Sequence, residues 1–253
     1  MKEQLKRLFV FEFRRQWNFL FLIVTVALGL IVYMLTVQSS RWTSTFDINR
    51  QTTQSYLGIA IPILTGFLSS GMVAFDVKDG WLRTLLIRPV PRHHYLLARM
   101  TSVLSISLIA SFIACTIPVG LASYFAGKPI DWDLVRLAEI YVMLLGQSIL
   151  LVAILAFLSC WLPGIFNVVI LFLWFLMAVL LDSYATRFFW DNKWVTLAKD
   201  YLFPSGFTNS ALSIVNEFPF PWTDFLWGLG AATAFLALAF WSINRIEVDS
   251  TSE

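Results

Sequence analysis

Charged residues are scarce in this chain, and their scarcity argues against a soluble globular fold. Of the 253 residues, only 13% are Asp, Glu, Lys or Arg, while 58% are hydrophobic. Soluble domains carry about 25% charged and about 45–50% apolar residues. The apolar residues here also form unbroken runs of about 18 residues or more, the length that crosses a bilayer core about 30 Å thick. The composition therefore predicts an all-α membrane protein that crosses the bilayer several times.

A strong net charge and a cysteine framework are also lacking. The formal net charge is only +2, which is too small to favour a nucleic-acid partner. The two cysteines, Cys115 and Cys160, lie in apolar runs at different expected membrane depths. Bridged cysteines need Cα atoms within about 7 Å, so we expect no disulfide between them.

Catalytic and cofactor motifs are the third absence. A phosphate-binding loop needs a glycine-rich turn followed by Lys and Ser or Thr, and the nearest approach, Gly127-Lys128, is followed by Pro129. No protease motif is present, and no span carries a central aspartate. The pair His93-His94 points about 100° apart on a helix and does not form a metal site alone. We therefore expect no enzyme activity, no catalytic residue, no metal and no cofactor bound by this chain.

Six hydrophobic runs are long enough to be transmembrane helices. The fourth and fifth form one nearly continuous apolar stretch, and Pro163-Gly164 is the only strong breaker that divides it. The six predicted spans are Phe19 to Val37, Tyr56 to Phe75, Val103 to Phe125, Ile140 to Leu162, Ile165 to Ser183, and Phe225 to Ile243.

The distribution of basic residues predicts the orientation. The N-terminal tail, the segment after span two, the Pro-Gly turn and the C-terminal tail together hold 11 Lys and Arg, against 7 in the alternate segments. Positive residues accumulate on the cytoplasmic side. Both termini are thus predicted in the cytoplasm, with the chain in the cell (inner) membrane.

Three segments outside the spans are distinctive. Residues 1–18 alternate basic and apolar side chains in the manner of a helix lying in the headgroup region. Residues 184–223 are rich in aromatic residues and proline, which favours a re-entrant extracytoplasmic segment over a solvated loop. Residues 76–100 form an amphipathic cytoplasmic excursion in which Leu82, Leu85 and Leu86 share a helical face.

The sequence from Asp76 to Arg92, DVKDGWLRTLLIRPVPR, resembles the cytoplasmic-loop signature of ABC-2 type permeases. That signature has an acidic residue, a charged stretch, Gly, a Leu-rich turn and Pro, followed by a basic residue. Asp76 stands where Glu is usual, and Pro91 stands where Ser is common. The resemblance extends over the whole chain, which would form a single ABC-2 type transmembrane domain, residues 1–253.

The resemblance implies a permease subunit of an ATP-driven exporter, with residues 76–100 forming a coupling helix on a separate ATP-binding subunit. It implies two such subunits, which would hold the ATP and Mg, and a second permease subunit in a homodimer or related heterodimer. The residues it assigns to coupling are Asp76, Asp79, Gly80, Arg83, Leu85, Leu86, Pro89 and Arg92. The substrate would be amphipathic, a peptide or a lipid-like or drug-like molecule, since the spans contain only mild polar groups.

Two alternatives stay open on the residues alone. The first is a non-transporting membrane scaffold or regulator that docks a cytoplasmic partner through residues 76–100. The second concerns the polar side chains within the spans, which serve helix packing or a substrate pathway equally well: Thr65, Ser69, Ser70, Gln147 and Asn167.

Overall fold

A computed structural model describes the helices that surround the predicted cytoplasmic segment. It describes residues 6–14, 17, 65–66, 68–69, 72–73, 76, 91–126, 134–162, 164–180, 214 and 219–245. Over these ranges the protein is helical and contains no strand. We name the helices α1 (6–14), α2 (Arg92–Ala126), α3 (Leu134–Ser159), α4 (Gly164–Leu180) and α5 (Trp222–Arg245).

The first residues of α2 belong to the cytoplasmic segment predicted at 76–100. Pro91 immediately precedes this helix, and its carbonyl accepts hydrogen bonds from the His94 and Tyr95 amides at 2.9 and 3.4 Å. Proline favours a helix start because its φ is already helical and it has no amide hydrogen to leave unpaired. With 35 residues and a rise of about 1.5 Å each, α2 is longer than a bilayer core. It therefore contains predicted span three and extends beyond it.

The break predicted at Pro163-Gly164 separates α3 from α4. The chain leaves α3 through a tight turn in which the amides of Cys160, Trp161 and Leu162 bond to carbonyls three or four residues earlier. Gly164 then begins α4. Predicted spans four and five thus correspond to two helices. The last residues of span five, 181–183, lie outside the described residues.

Helix α3 is the centre of the bundle and packs most extensively against α5. The contacting face of α5 carries Gly228, Ala232 and Ala239, all buried. Small side chains at this spacing let two helix backbones approach closely. Gly228 and Ala232 form a small-xxx-small pair, and their burial places that pair in the interface.

Two helical stretches are long and apolar enough to cross a membrane: Ala138–Ser159, with 22 residues, and Trp222–Arg245, with 24 residues. They coincide with predicted spans four and six. Span one lies outside the described residues, and span two is described only at positions such as Thr65 and Ser69. The complete six-span layout and the 184–223 re-entrant segment remain predictions.

Candidate functional site

Four side chains from three separate parts of the sequence form a buried cluster at one end of the bundle. Glu12 comes from α1, Asp76 from the end of predicted span two, and Tyr95 and Arg99 from successive turns of α2. Their residues are 1%, 0%, 2% and 6% exposed, respectively. We call this group the Arg99 cluster. It joins three separate parts of the chain where the predicted coupling segment begins.

Arg99 is the only cation in this cluster and faces both carboxylates. Its Nη1 donates to Glu12 Oε2 in a buried ion pair, and its Nε lies 3.9 Å from Asp76 Oδ2. Within the described part of the chain, Arg99 Nε has no acceptor at hydrogen-bond distance. Arg99 is therefore hydrogen-bonded to α1 and is close to Asp76 without bonding to it.

Tyr95, rather than Arg99, donates a hydrogen bond to Asp76. Its hydroxyl contacts Asp76 Oδ2 and lies 3.1 Å from the carbonyl of Met72. A phenol has one hydrogen and so donates to one acceptor at a time. Burial, followed by the nearby Asp76 carboxylate, raises the pKa of Tyr95 well above its ordinary value. The hydroxyl therefore remains a donor at neutral pH.

The backbone just before Asp76 is held by side chains from neighbouring helices. The Met72 amide bonds to the Ser69 carbonyl at 3.1 Å, in a three-residue turn. The Val73 amide donates to Ser159 Oγ, at the end of α3, at 3.3 Å. In a regular α-helix that amide would bond to the carbonyl of residue 69. Side chains from α2 and α3 thus fix the end of span two.

Arg92 makes a second attachment of the predicted coupling segment, at the start of α2. Its Nη1 donates to the carbonyls of Ile243 and Asn244, at 3.3 and 3.1 Å. These carbonyls belong to the last turn of α5, where a helix has unpaired acceptors and a partial negative charge. A guanidinium there caps α5, so the start of α2 is bound to the end of α5.

The comparison with protein families agrees with the resemblance of residues 76–92 to the ABC-2 loop signature. A family model described as "ABC-2 family transporter protein" matches residues 13–183. The chain belongs to the ABC-2 transporter family. The matched range contains Asp76, Arg92 and Arg99 and ends before α5. No curated protein sequence matches the chain.

Membership of this family makes the chain an ABC-2 type permease, and the structure describes two of its eight predicted coupling residues. Asp76 is buried in the Arg99 cluster, and Arg92 caps α5. The other six coupling residues lie outside the described residues: Asp79, Gly80, Arg83, Leu85, Leu86 and Pro89.

The polar side chains predicted within the spans of the permease are buried where they are described. Thr65 and Ser107 hydroxyls lie 3.0 Å apart and join span two to α2. Ser69, Gln147 and Asn167 are each 0% exposed. In the described part of the chain, neither the Ser69 hydroxyl nor the Asn167 amide has a hydrogen-bond partner. Thr65 thus contributes to helix packing.

Ser70 lies outside the described residues. Whether Ser69, Gln147 and Asn167 line a pathway remains a prediction.

Glu12 and Arg99 were not among the predicted functional residues, yet each carried a signal in the sequence. Glu12 follows Leu8 by one helical turn and is the acidic residue on the apolar side of a basic helix. Arg99 lies one turn after Tyr95 and one turn before Val103, on an otherwise apolar face. Opposite charges placed on two apolar faces indicate a buried pair.

Proposed function

We propose that this permease is the membrane subunit of an ATP-driven exporter, powered by a separate ATP-binding subunit that docks on residues 76–100. The family itself implies an ABC ATP-binding partner. The proposal adds two copies of that partner, which hold the ATP and Mg, and a second permease subunit. It retains six spans that cross the inner membrane and places both termini in the cytoplasm.

The observation that carries the proposal is the attachment of the predicted coupling segment to the helix bundle at two positions, Asp76 and Arg92. Asp76 enters the Arg99 cluster, and Arg92 is hydrogen-bonded to the last turn of α5. A segment bound in this way cannot shift as an independent loop. When a docked subunit displaces it, the force reaches α1 and α2 through Asp76 and α5 through Arg92.

The proposed substrate is amphipathic: a peptide, a lipid-like molecule or a drug-like molecule. The support is the chemistry of the predicted spans, whose buried polar groups include Ser69, Gln147 and Asn167 and are uncharged. Hydroxyl and amide groups in an apolar bundle suit a substrate with few charges. Export, rather than import, rests on the resemblance to ABC-2 exporters.

The first experiment is to purify the permease in mild detergent from its native cell and identify co-purifying proteins by mass spectrometry. We expect a stoichiometric ATP-binding subunit. Its ATPase activity in the complex should fall to the level of the isolated subunit in Arg83→Glu and in Leu85→Asp/Leu86→Asp. Lys193→Glu, a charge reversal on the predicted outer side, is the matched control.

Normal ATPase activity in the Arg83 and Leu85/Leu86 variants would remove the assigned role of residues 76–100. Absence of any ATP-binding subunit, with the complex otherwise intact, would favour the scaffold alternative. ATP-dependent movement of an amphipathic dye in vesicles containing the reconstituted complex would argue against that alternative. These measurements separate docking, coupling and transport.

A further inference from the structure

Helix α1 packs its more apolar side against the rest of the protein, and its opposite face is exposed. Leu8 and Phe13 pack against the hydrophobic core, and Glu12 lies between them in the Arg99 cluster. At about 100° per residue, these positions occupy one side of the helix. The side that a free amphipathic helix would insert into lipid is therefore already occupied by the bundle.

The outward face of α1 combines basic and apolar side chains. Lys6, Arg7 and Arg14 are exposed, and so are Val10, Phe11 and Trp17, at 39%, 47% and 40%. On a helical projection the five of these positions that lie within α1 span an arc of about 140°. The acidic residue in 6–14 is Glu12, which is 1% exposed. Within residues 6–14, the exposed charged side chains are therefore all basic.

We propose that this outward face binds the headgroups of anionic phospholipids. Val10, Phe11 and Trp17 are suited to the boundary between headgroups and acyl chains. Lys6 and Arg14 lie on the same face, where a phosphate group can bind. Phe13 packs near both neighbouring rings, with centroids 5.8 Å from Phe9 and 5.2 Å from Trp17.

Lipid binding at α1 has a direct connection to the Arg99 cluster. Glu12 lies on the opposite side of the same short helix and is bonded to Arg99. Anionic lipid that holds α1 at the membrane surface therefore also holds Arg99 beside Asp76. The effect of this connection on transport rests on the proposed function, whereas the lipid binding itself does not.

The test is native mass spectrometry of the purified full chain, titrated separately with phosphatidylglycerol and phosphatidylcholine. Each basic side chain near an anionic surface contributes about fivefold to binding. Lys6→Gln/Arg14→Gln should therefore weaken the first phosphatidylglycerol dissociation constant about 25-fold. Lys193→Gln/Lys199→Gln, which removes two positive charges on the predicted outer side, should leave it unchanged.

Three results would overturn the proposal. The first is equal affinity for the two lipids, and the second is unchanged phosphatidylglycerol binding in Lys6→Gln/Arg14→Gln. The third is loss of the ATP-binding subunit from that variant while its lipid binding is retained, which would assign the face to a protein partner. Because the lipid titration needs no ATP-binding subunit, its failure is distinguishable from failure of the proposed function.

Discussion

Replacing Arg99 with methionine tests the central feature of the site. Arg99 is 6% exposed and faces the carboxylates of Glu12 and Asp76, which are 1% and 0% exposed. Arg99→Met preserves much of the side-chain volume but removes the cation that faces these two buried carboxylates. Removing one partner of a buried ion pair costs about 3–5 kcal/mol. At about 2–4 °C per kcal/mol, the midpoint of thermal unfolding should fall by roughly 10 °C.

Two companion variants separate charge imbalance from lost packing. Glu12→Gln leaves one cation and one carboxylate, so it should cost less than Arg99→Met. The triple variant Glu12→Gln/Asp76→Asn/Arg99→Met removes the formal charges of the Arg99 cluster and leaves Tyr95 an amide oxygen to bond. Neutral replacements of buried ion groups are often close to isoenergetic. The triple variant should recover most of the lost stability.

The assay is thermal unfolding in mild detergent, followed by fluorescence-detected size exclusion. The matched control is Arg14→Met, which removes an exposed arginine from α1 and should change stability by less than about 1 kcal/mol. If Arg99→Met behaved like Arg14→Met, the cluster would not stabilise the permease. If the triple variant were less stable than Arg99→Met, unbalanced charge would not be the cause of the loss.

Two further perturbations test the packing of α5. Ala232→Leu adds volume at a residue that is 1% exposed in the interface with α3 and should lower the free energy of unfolding by about 1–3 kcal/mol. The control Ala234→Leu, on the exposed side of the same helix, should not lower the thermal midpoint. Equal thermal midpoints for the two variants would contradict this interface. Arg92→Gln removes the charged cap of α5 and should lower the free energy of unfolding by about 0.3–1 kcal/mol. Amide hydrogen exchange should then become faster at residues 241–245. Unchanged exchange rates there would refute the capping role.

The helices could be predicted because their signals are local. Long apolar runs located α3 and α5, and Pro163-Gly164 separated α3 from α4 with only a few residues between them. The start of α2 was harder to predict because Arg92, His93 and His94 are polar and resemble a cytoplasmic loop. Helix formation depends on backbone hydrogen bonds and does not stop at a membrane surface. The helix therefore begins directly after Pro91.

The Arg99 cluster could not be predicted because its pairing is not local. Glu12 and Arg99 are 87 positions apart, and no sequence spacing specifies that α1 packs against α2. The apolar faces around both residues indicated that each charge would need a partner. Only the packing of α1, span two and α2 shows which charges meet. Asp76 was selected from the loop signature, whereas its contacts with Tyr95 and Arg99 come from the fold.

The two attachments of the predicted coupling segment differ in physical character, and under the proposed function this difference bears on how motion would be transmitted. At Asp76 the attachment is buried and charged, and a displacement that separates it from its partners carries a desolvation cost. At Arg92 the acceptors are neutral carbonyls near the surface, and water can replace them at small cost. A docked subunit would therefore loosen the Arg92 contact with α5 more easily than the Asp76 contact. The segment would then pivot about Asp76, with α1, α2 and span two as its fixed support.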